Sequence, residues 1–266
     1  MEETSTYQLL TAAQKRFVTE SGASFDARGW ATDYEDNLFT QLHPDTVADL
    51  TAAKELTADG AGQRICAPHS STALAVNTFD WWRDRDLEPL SAAFAVEMDR
   101  CVGFEQRHGF GLDRAAHLDV EFAGPADTAV GVEVKLREPY GTVHNDFAAK
   151  YFEYPGLWDR LPTLGQHARA IGERTARYET LHAAQLIKHA LGLSHSYGDR
   201  FTLVYYWHRM PGPIGDQHQR EVDQFAQIAE SDIRFVAVTV EGLLQRIEPD
   251  GAVAPWWDYM TRRYLS

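Results

Sequence analysis

The chain has 266 residues, 44% hydrophobic and 24% charged, an ordinary globular composition that excludes a disordered chain and suffices for a sizeable core. Two cysteines, Cys66 and Cys101, allow at most one bridge and exclude a cysteine-based zinc site. The formal net charge of −14 on its face opposes a polyanionic partner.

No apolar run approaches the roughly 20 residues of a bilayer span. The start, Met1-Glu2-Glu3-Thr4, lacks the basic-then-apolar layout of a secretion signal. A reducing, cytoplasmic protein is expected.

In chain order, residues 5–20 read as a helix with Leu9, Leu10, Ala13 and Phe17 at helical spacing. Residues 33–56 are acidic and helical in part, with Pro44 opening a segment. Gly60-Ala61-Gly62 marks a turn. Ser70 to Phe79 mixes small and apolar residues and leads into Trp81-Trp82, a packing pair. Ser91 is placed as the cap of a helix running to about Arg107, with Phe94, Met98, Cys101 and Val102 on one face. Gly109 and Gly111 end it.

The period then changes to two. In His117-Leu118-Asp119-Val120-Glu121-Phe122 the apolar side chains Leu118, Val120 and Phe122 share one face, and Asp119 and Glu121 the other. After the turn Gly124-Pro125-Ala126-Asp127, residues 130–136 alternate again, placing Glu133 and Lys135 opposite Val132, Val134 and Leu136. Two such runs predict an antiparallel hairpin. Residues 138–165, broken by prolines and glycines, read as a long irregular insertion. Arg174 to Leu191 is predicted to be a helix ended by Gly192. Phe201–Trp207 and Ile233–Val240 have strand composition, with a helix over Gln219–Ala229 between them. Trp256-Trp257-Asp258-Tyr259 suits an aromatic closure of the core. The order gives a mixed α/β sheet.

Asp119 and Glu133 fall on neighbouring strands, each opposite its strand's aliphatic residues, so their carboxylates can converge. Two hard oxygen ligands are what Mg²⁺ needs, with water and phosphate oxygens completing its shell. Lys135, two residues after Glu133, emerges beside it and can orient water or steady charge on a phosphate. Taken alone, Glu-Val-Lys is common on strands and reads as a surface ion pair. The combination on successive strands favours the metal reading.

These residues resemble the PD-(D/E)XK nuclease superfamily, and within it a bacterial restriction-endonuclease-like group. The resemblance is carried by His117-Leu118-Asp119, by Val132-Glu133-Val134-Lys135, and by the run from Ala183 to Leu193 that contains Gln185, Lys188 and His189. The run His69-Ser70-Ser71-Thr72-Ala73-Leu74-Ala75-Val76-Asn77 is also similar to that group. The resemblance implies an α/β fold, a restriction-endonuclease-like central mixed β-sheet flanked by helices, with an extra N-terminal helical region. It implies one domain over residues 1–266, with an acidic helical extension to 65, a catalytic core over 90–240 and a closure over 241–266. It implies that Asp119, Glu133 and the Val134 carbonyl bind Mg²⁺ (or Mn²⁺), with Lys135 as the catalytic lysine. Gln185 matches a glutamine such folds often carry on the following helix; an exposed helix residue is the other reading. Lys188, three residues on, shares its face. Some members add an acid from the helix before the first strand, for which Glu105 is best placed and Glu97 the alternative. Leu118 stands where the signature has proline, a variable position.

The implied activity is metal-dependent hydrolysis of DNA phosphodiester bonds, with a homodimer compatible with double-strand cutting. The alternative is a catalytically silent nuclease-fold protein that binds nucleic acid or a protein partner, for which the acidic first 60 residues are the motive. Residues 160–200 are net basic, through Arg160, Arg169, Arg174, Arg177, Lys188 and Arg200. This is either a solvated face or a track for a phosphate backbone. The histidines do not form a His-x-x-x-His zinc site, Ser70 and Ser71 lack a nucleophile elbow, and Gly109-Phe110-Gly111 is not a nucleotide loop.

Overall fold

A computed structural model describes residues 6–56, 63–112 and 116–265. The chain runs through α1 (Thr6–Glu20), α2 (Pro44–Ala52), α3 (Ser71–Phe79), α4 (Glu88–Phe94), β1 (Arg100–His108), β2 (Ala116–Gly124) and β3 (Thr128–Lys135). It continues through α5 (Lys150–Glu153), α6 (Pro162–Gly172), α7 (Ala183–Tyr197), β4 (Phe201–Trp207), α8 (Pro213–Ala229), β5 (Arg234–Thr239), α9 (Val240–Arg246) and α10 (Ala254–Tyr264). The turn expected at Gly60-Ala61-Gly62 lies outside the described residues.

The five strands form one sheet in the order β1-β2-β3-β4-β5. The first three pair antiparallel and the last three parallel, so the sheet is mixed, flanked by helices on both faces. This is the α/β arrangement expected of a restriction-endonuclease-like fold. The predicted hairpin is β2–β3, with Val120 opposite Val132 and Phe122 opposite Val130. Every residue of β4 is buried, because Leu203, Tyr205 and Trp207 enter the core under α6–α8 while Val204 and Tyr206 enter the core under α3, α4, α9 and α10. Each such aliphatic or aromatic side chain contributes roughly 1.5–3 kcal/mol on burial. Trp256 of α10 closes the second core, edge-on to Trp82 at 5.3 Å. Among the described residues no helix is long and apolar enough to cross a membrane, and Cys66 and Cys101 are buried and unbridged.

Several expectations are corrected. The helix expected from Ser91 to Arg107 is instead α4, which ends with Ala95 at φ 54°, followed by strand β1. Ser91 lies inside α4, and its Oγ accepts the Met98 N–H at 3.0 Å, closing the turn between the two elements. The spacing of Phe94, Met98 and Cys101 suits either element, and pairing with β2 decides for a strand.

The helix expected over Arg174–Leu191 is displaced to α7. Its approach, 179–181, stays non-helical because the Glu221 carboxylate accepts the N–H groups of Glu179, Thr180 and Leu181 at 2.8–2.9 Å. Gly192 does not end α7; Gly198 does, at φ 70°. In α1 the buried face is Leu10, Gln14 and Val18, with Leu9 exposed. Leu118 does not share a face with Val120 and Phe122: it packs beside Leu193 of α7 over Gly131, so the alternation of β2 breaks at Asp119.

Candidate active site

The break in β2 creates the site. Backbone pairing between β2 and β3 stops at Val120 and Val132. Beyond it the Asp119 carboxylate replaces the missing strand, its Oδ2 accepting the Val134 N–H at 2.6 Å. On β3 the Lys135 carbonyl accepts the His208 N–H of the chain beyond β4 at 2.9 Å. Successive strand residues direct their backbone groups to opposite edges. The Val134 carbonyl therefore points with its N–H toward Asp119.

Glu105 lies on β1, not on a preceding helix, between the pairs Phe104–Val120 and Gln106–Leu118 and so opposite Asp119. Its φ of 50° is a left-handed conformation unusual for glutamate. Glu97 is exposed and lies away from this cleft.

A cleft of about 460 Å³ opens here. Glu105, Asp119, Lys135 and Gln185 line one side, and His69, Ser70, Ser71 and Thr72 at the start of α3 line another, with Arg64 and Arg137 at its margin. The run from His69 to Asn77 thus acquires a place: Ser70 Oγ caps α3 by accepting the Ala73 N–H, and the segment faces the carboxylates. Gln185 sits in the first turn of α7, its amide without a hydrogen-bond partner among the described residues. Lys188 does not join it, since its Nζ donates to the Asp146 carbonyl at 3.3 Å and lies over the Phe147 and Tyr151 rings. The basic track over 160–200 does not reach the cleft. Arg160 donates to the Ser194 carbonyl, Arg169 stacks on Phe152 and Arg200 pairs with Asp127, so these residues fasten the insertion and the hairpin turn.

Glu133 is 1% exposed and lies beneath the cleft between Lys135 and His189. One carboxylate oxygen contacts Lys135 Nζ, and Oε2 lies 2.8 Å from Nε2 of His189 on α7. Burial pushes this carboxyl up, but Lys135 and His189 more than offset that and hold it at about 2. Lys135 gains correspondingly: burial alone lowers its pKa, and Glu133, Asp119 and Glu138 raise it. For Asp119 the compensation is incomplete. Burial, then the charge of Glu133, push it well above the ordinary carboxylate range against the pull of Lys135. Glu105 is pushed up to about 8 by burial and by Glu55 and Glu133.

Among the described residues no group of three or more His, Cys, Asp or Glu side chains is assembled as a ready-made metal cage. Mg²⁺ does not need one, since it binds through one or two carboxylates and keeps its waters. The donor set fits such an ion: a buried carboxylate raised by a neighbouring carboxylate is what a divalent cation relieves, and a strand carbonyl points to the same place. Sequence reasoning missed His189. Its signal was its position four residues after Gln185, one turn along the same face of α7.

A family model described as Restriction Endonuclease associating with ARP matches residues 11–265, almost the whole chain. No curated protein and no solved structure matches it.

Proposed function

The chain belongs to the family described as Restriction Endonuclease associating with ARP, and from that premise we propose that it is a Mg²⁺-dependent endonuclease hydrolysing phosphodiester bonds of DNA. The observation that supports this reading is that the Asp119 carboxylate meets the Val134 backbone where the β2–β3 pairing ends, with Lys135 lining the same cleft and Glu133 buried against it.

Asp119 through its second oxygen, Glu133 and the Val134 carbonyl would hold the ion, with Glu105 as an outer carboxylate. Bound there, a divalent cation acidifies water and neutralises charge on the phosphate. Lys135 remains protonated and donates to the attacking water or to a non-bridging phosphate oxygen, stabilising the charge that develops there. The Gln185 amide, without a hydrogen-bond partner among the described residues, positions the same phosphate from the first turn of α7. Arg64 and Arg137 at the cleft margin suit flanking phosphates. One site cuts one strand, so a double-strand break calls for two copies of the chain or two encounters.

The test is incubation of purified protein with supercoiled, branched and single-stranded DNA in Mg²⁺ or Mn²⁺. Nicking or linearisation that EDTA and Asp119→Ala both abolish supports the reading. No cleavage of any substrate in either metal would sink it and leave the non-cutting, binding role.

A further inference from the structure

We propose that His189 is a positioning residue for the Glu133 carboxylate, fixing which of its oxygens is presented to the metal. The inference rests on Glu133 being a metal ligand and adds a role that the hydrolysis itself does not require.

Glu133 and His189 are 1% and 2% exposed, so neither reaches water. A buried carboxylate free to turn about its last torsion would offer either oxygen, or both, to an ion. His189 removes that freedom. Its Nε2 stands 2.8 Å from Oε2 of Glu133, a close contact that is not aligned as a hydrogen bond, and covers that oxygen from the α7 side. Oε1 is then left on the side of Lys135, which itself lines the cleft. The ring cannot follow the carboxylate, because it is carried by the buried stretch of α7 between Ile187 and Leu191. One helix therefore presents Gln185 to the cleft and, one turn later, sets the carboxylate beneath it. The same contact supplies a second partner for the charge of Glu133.

The test is calorimetric titration with Mn²⁺ in the absence of DNA, alongside kcat and KM for cleavage. Partners that orient a ligating carboxylate are worth 10- to 100-fold in metal affinity, so His189→Leu is expected to weaken Mn²⁺ binding by at least about tenfold. It lowers kcat while KM for DNA holds. His189→Gln, whose amide N–H replaces Nε2–H, restores binding to within about threefold of the wild type. Ile187→Ala, a neighbouring core variant, lowers Tm and leaves Mn²⁺ affinity unchanged. Should His189→Leu not fold, His189→Asn, polar but one bond shorter than Gln, serves in its place with the same expected loss. Wild-type Mn²⁺ affinity in His189→Leu or His189→Asn, with only Tm reduced, overturns the proposal, as does wild-type protein whose Mn²⁺ binding is absent or survives Asp119→Ala. Metal binding that depends on Asp119 and His189 without any DNA cleavage would remove the nuclease reading and leave this one standing.

Discussion

The Asp119 carboxylate accepts the Val134 N–H at 2.6 Å, so a side chain of β2 closes the position where the backbone of β2 has left β3. The contact favours the ionised acid, but burial and then the charge of Glu133 outweigh it and raise the carboxyl. Function and stability should therefore part company at this residue.

Asp119→Asn keeps an oxygen for the Val134 N–H and removes the charge. Cleavage is expected to fall by at least about 100-fold, as for loss of one electrostatic group at a reacting phosphate. Thermal melting in EDTA is expected at a temperature equal to or above that of the wild type. Melting well below it would mean that the charge itself holds the strands.

Lys135→Met retains most of the packing and leaves Glu133 with His189 alone. Removing one partner of a buried pair costs about 3–5 kcal/mol. Urea unfolding in EDTA should show a loss toward the lower end of that range, because Lys135 is 10% exposed. No change in midpoint would show that the pair is not formed in solution.

Glu105 supplies the pH dependence. Burial and the neighbouring Glu55 and Glu133 push its carboxyl up to about 8 in the fold, against an ordinary glutamate value of 4.5 when unfolded, so the folded chain holds its proton more tightly. That contribution is complete below pH 4.5, declines as pH rises through this window and is gone above pH 8. Glu105→Gln resembles the protonated residue throughout. In EDTA its stability relative to wild type should be equal near pH 4.5 and grow to a plateau above pH 8. A constant difference between the two melting curves from pH 5 to 9 would contradict the shift.

Gln185→Ala removes an amide with no hydrogen-bond partner among the described residues. Tm should stay within about 1 °C, since exposed substitutions without partners move stability little. Cleavage should fall about tenfold or more if the amide touches substrate. Unchanged kcat and KM would return Gln185 to an ordinary helix surface.

Gly192→Ala tests the packing of α7 on β1. A Cβ there would stand 2.8 Å from both the Cβ and the carbonyl oxygen of His108. The gain in helix propensity, about 1 kcal/mol, is opposed by overpacking of about 1–3 kcal/mol. A net loss in chemical denaturation is expected, and a net gain would mean that α7 can move outward freely.

Sequence alone determined the hairpin, the two later strands and the acids on them. A period of two is a local property, and the strand faces of Glu133 and Lys135 follow from counting along β3. It misplaced what depends on partners distant in sequence. Cys101 and Val102 carry helical spacing, yet β1 forms because β2 offers it a backbone ladder. The start of α7 is set by Glu221, some forty residues downstream, which satisfies the N–H groups that a longer helix would have used. Gly192 carried a stop signal locally, but its missing side chain serves the approach of His108. The site divides the same way: Asp119, Glu133 and Lys135 were legible because they share two adjacent strands. The break in β2, the position of Glu105 opposite Asp119 and the grip of His189 on Glu133 were decided only by the fold. Each joins groups whose contact depends on how several elements pack, and no sequence period encodes that distance.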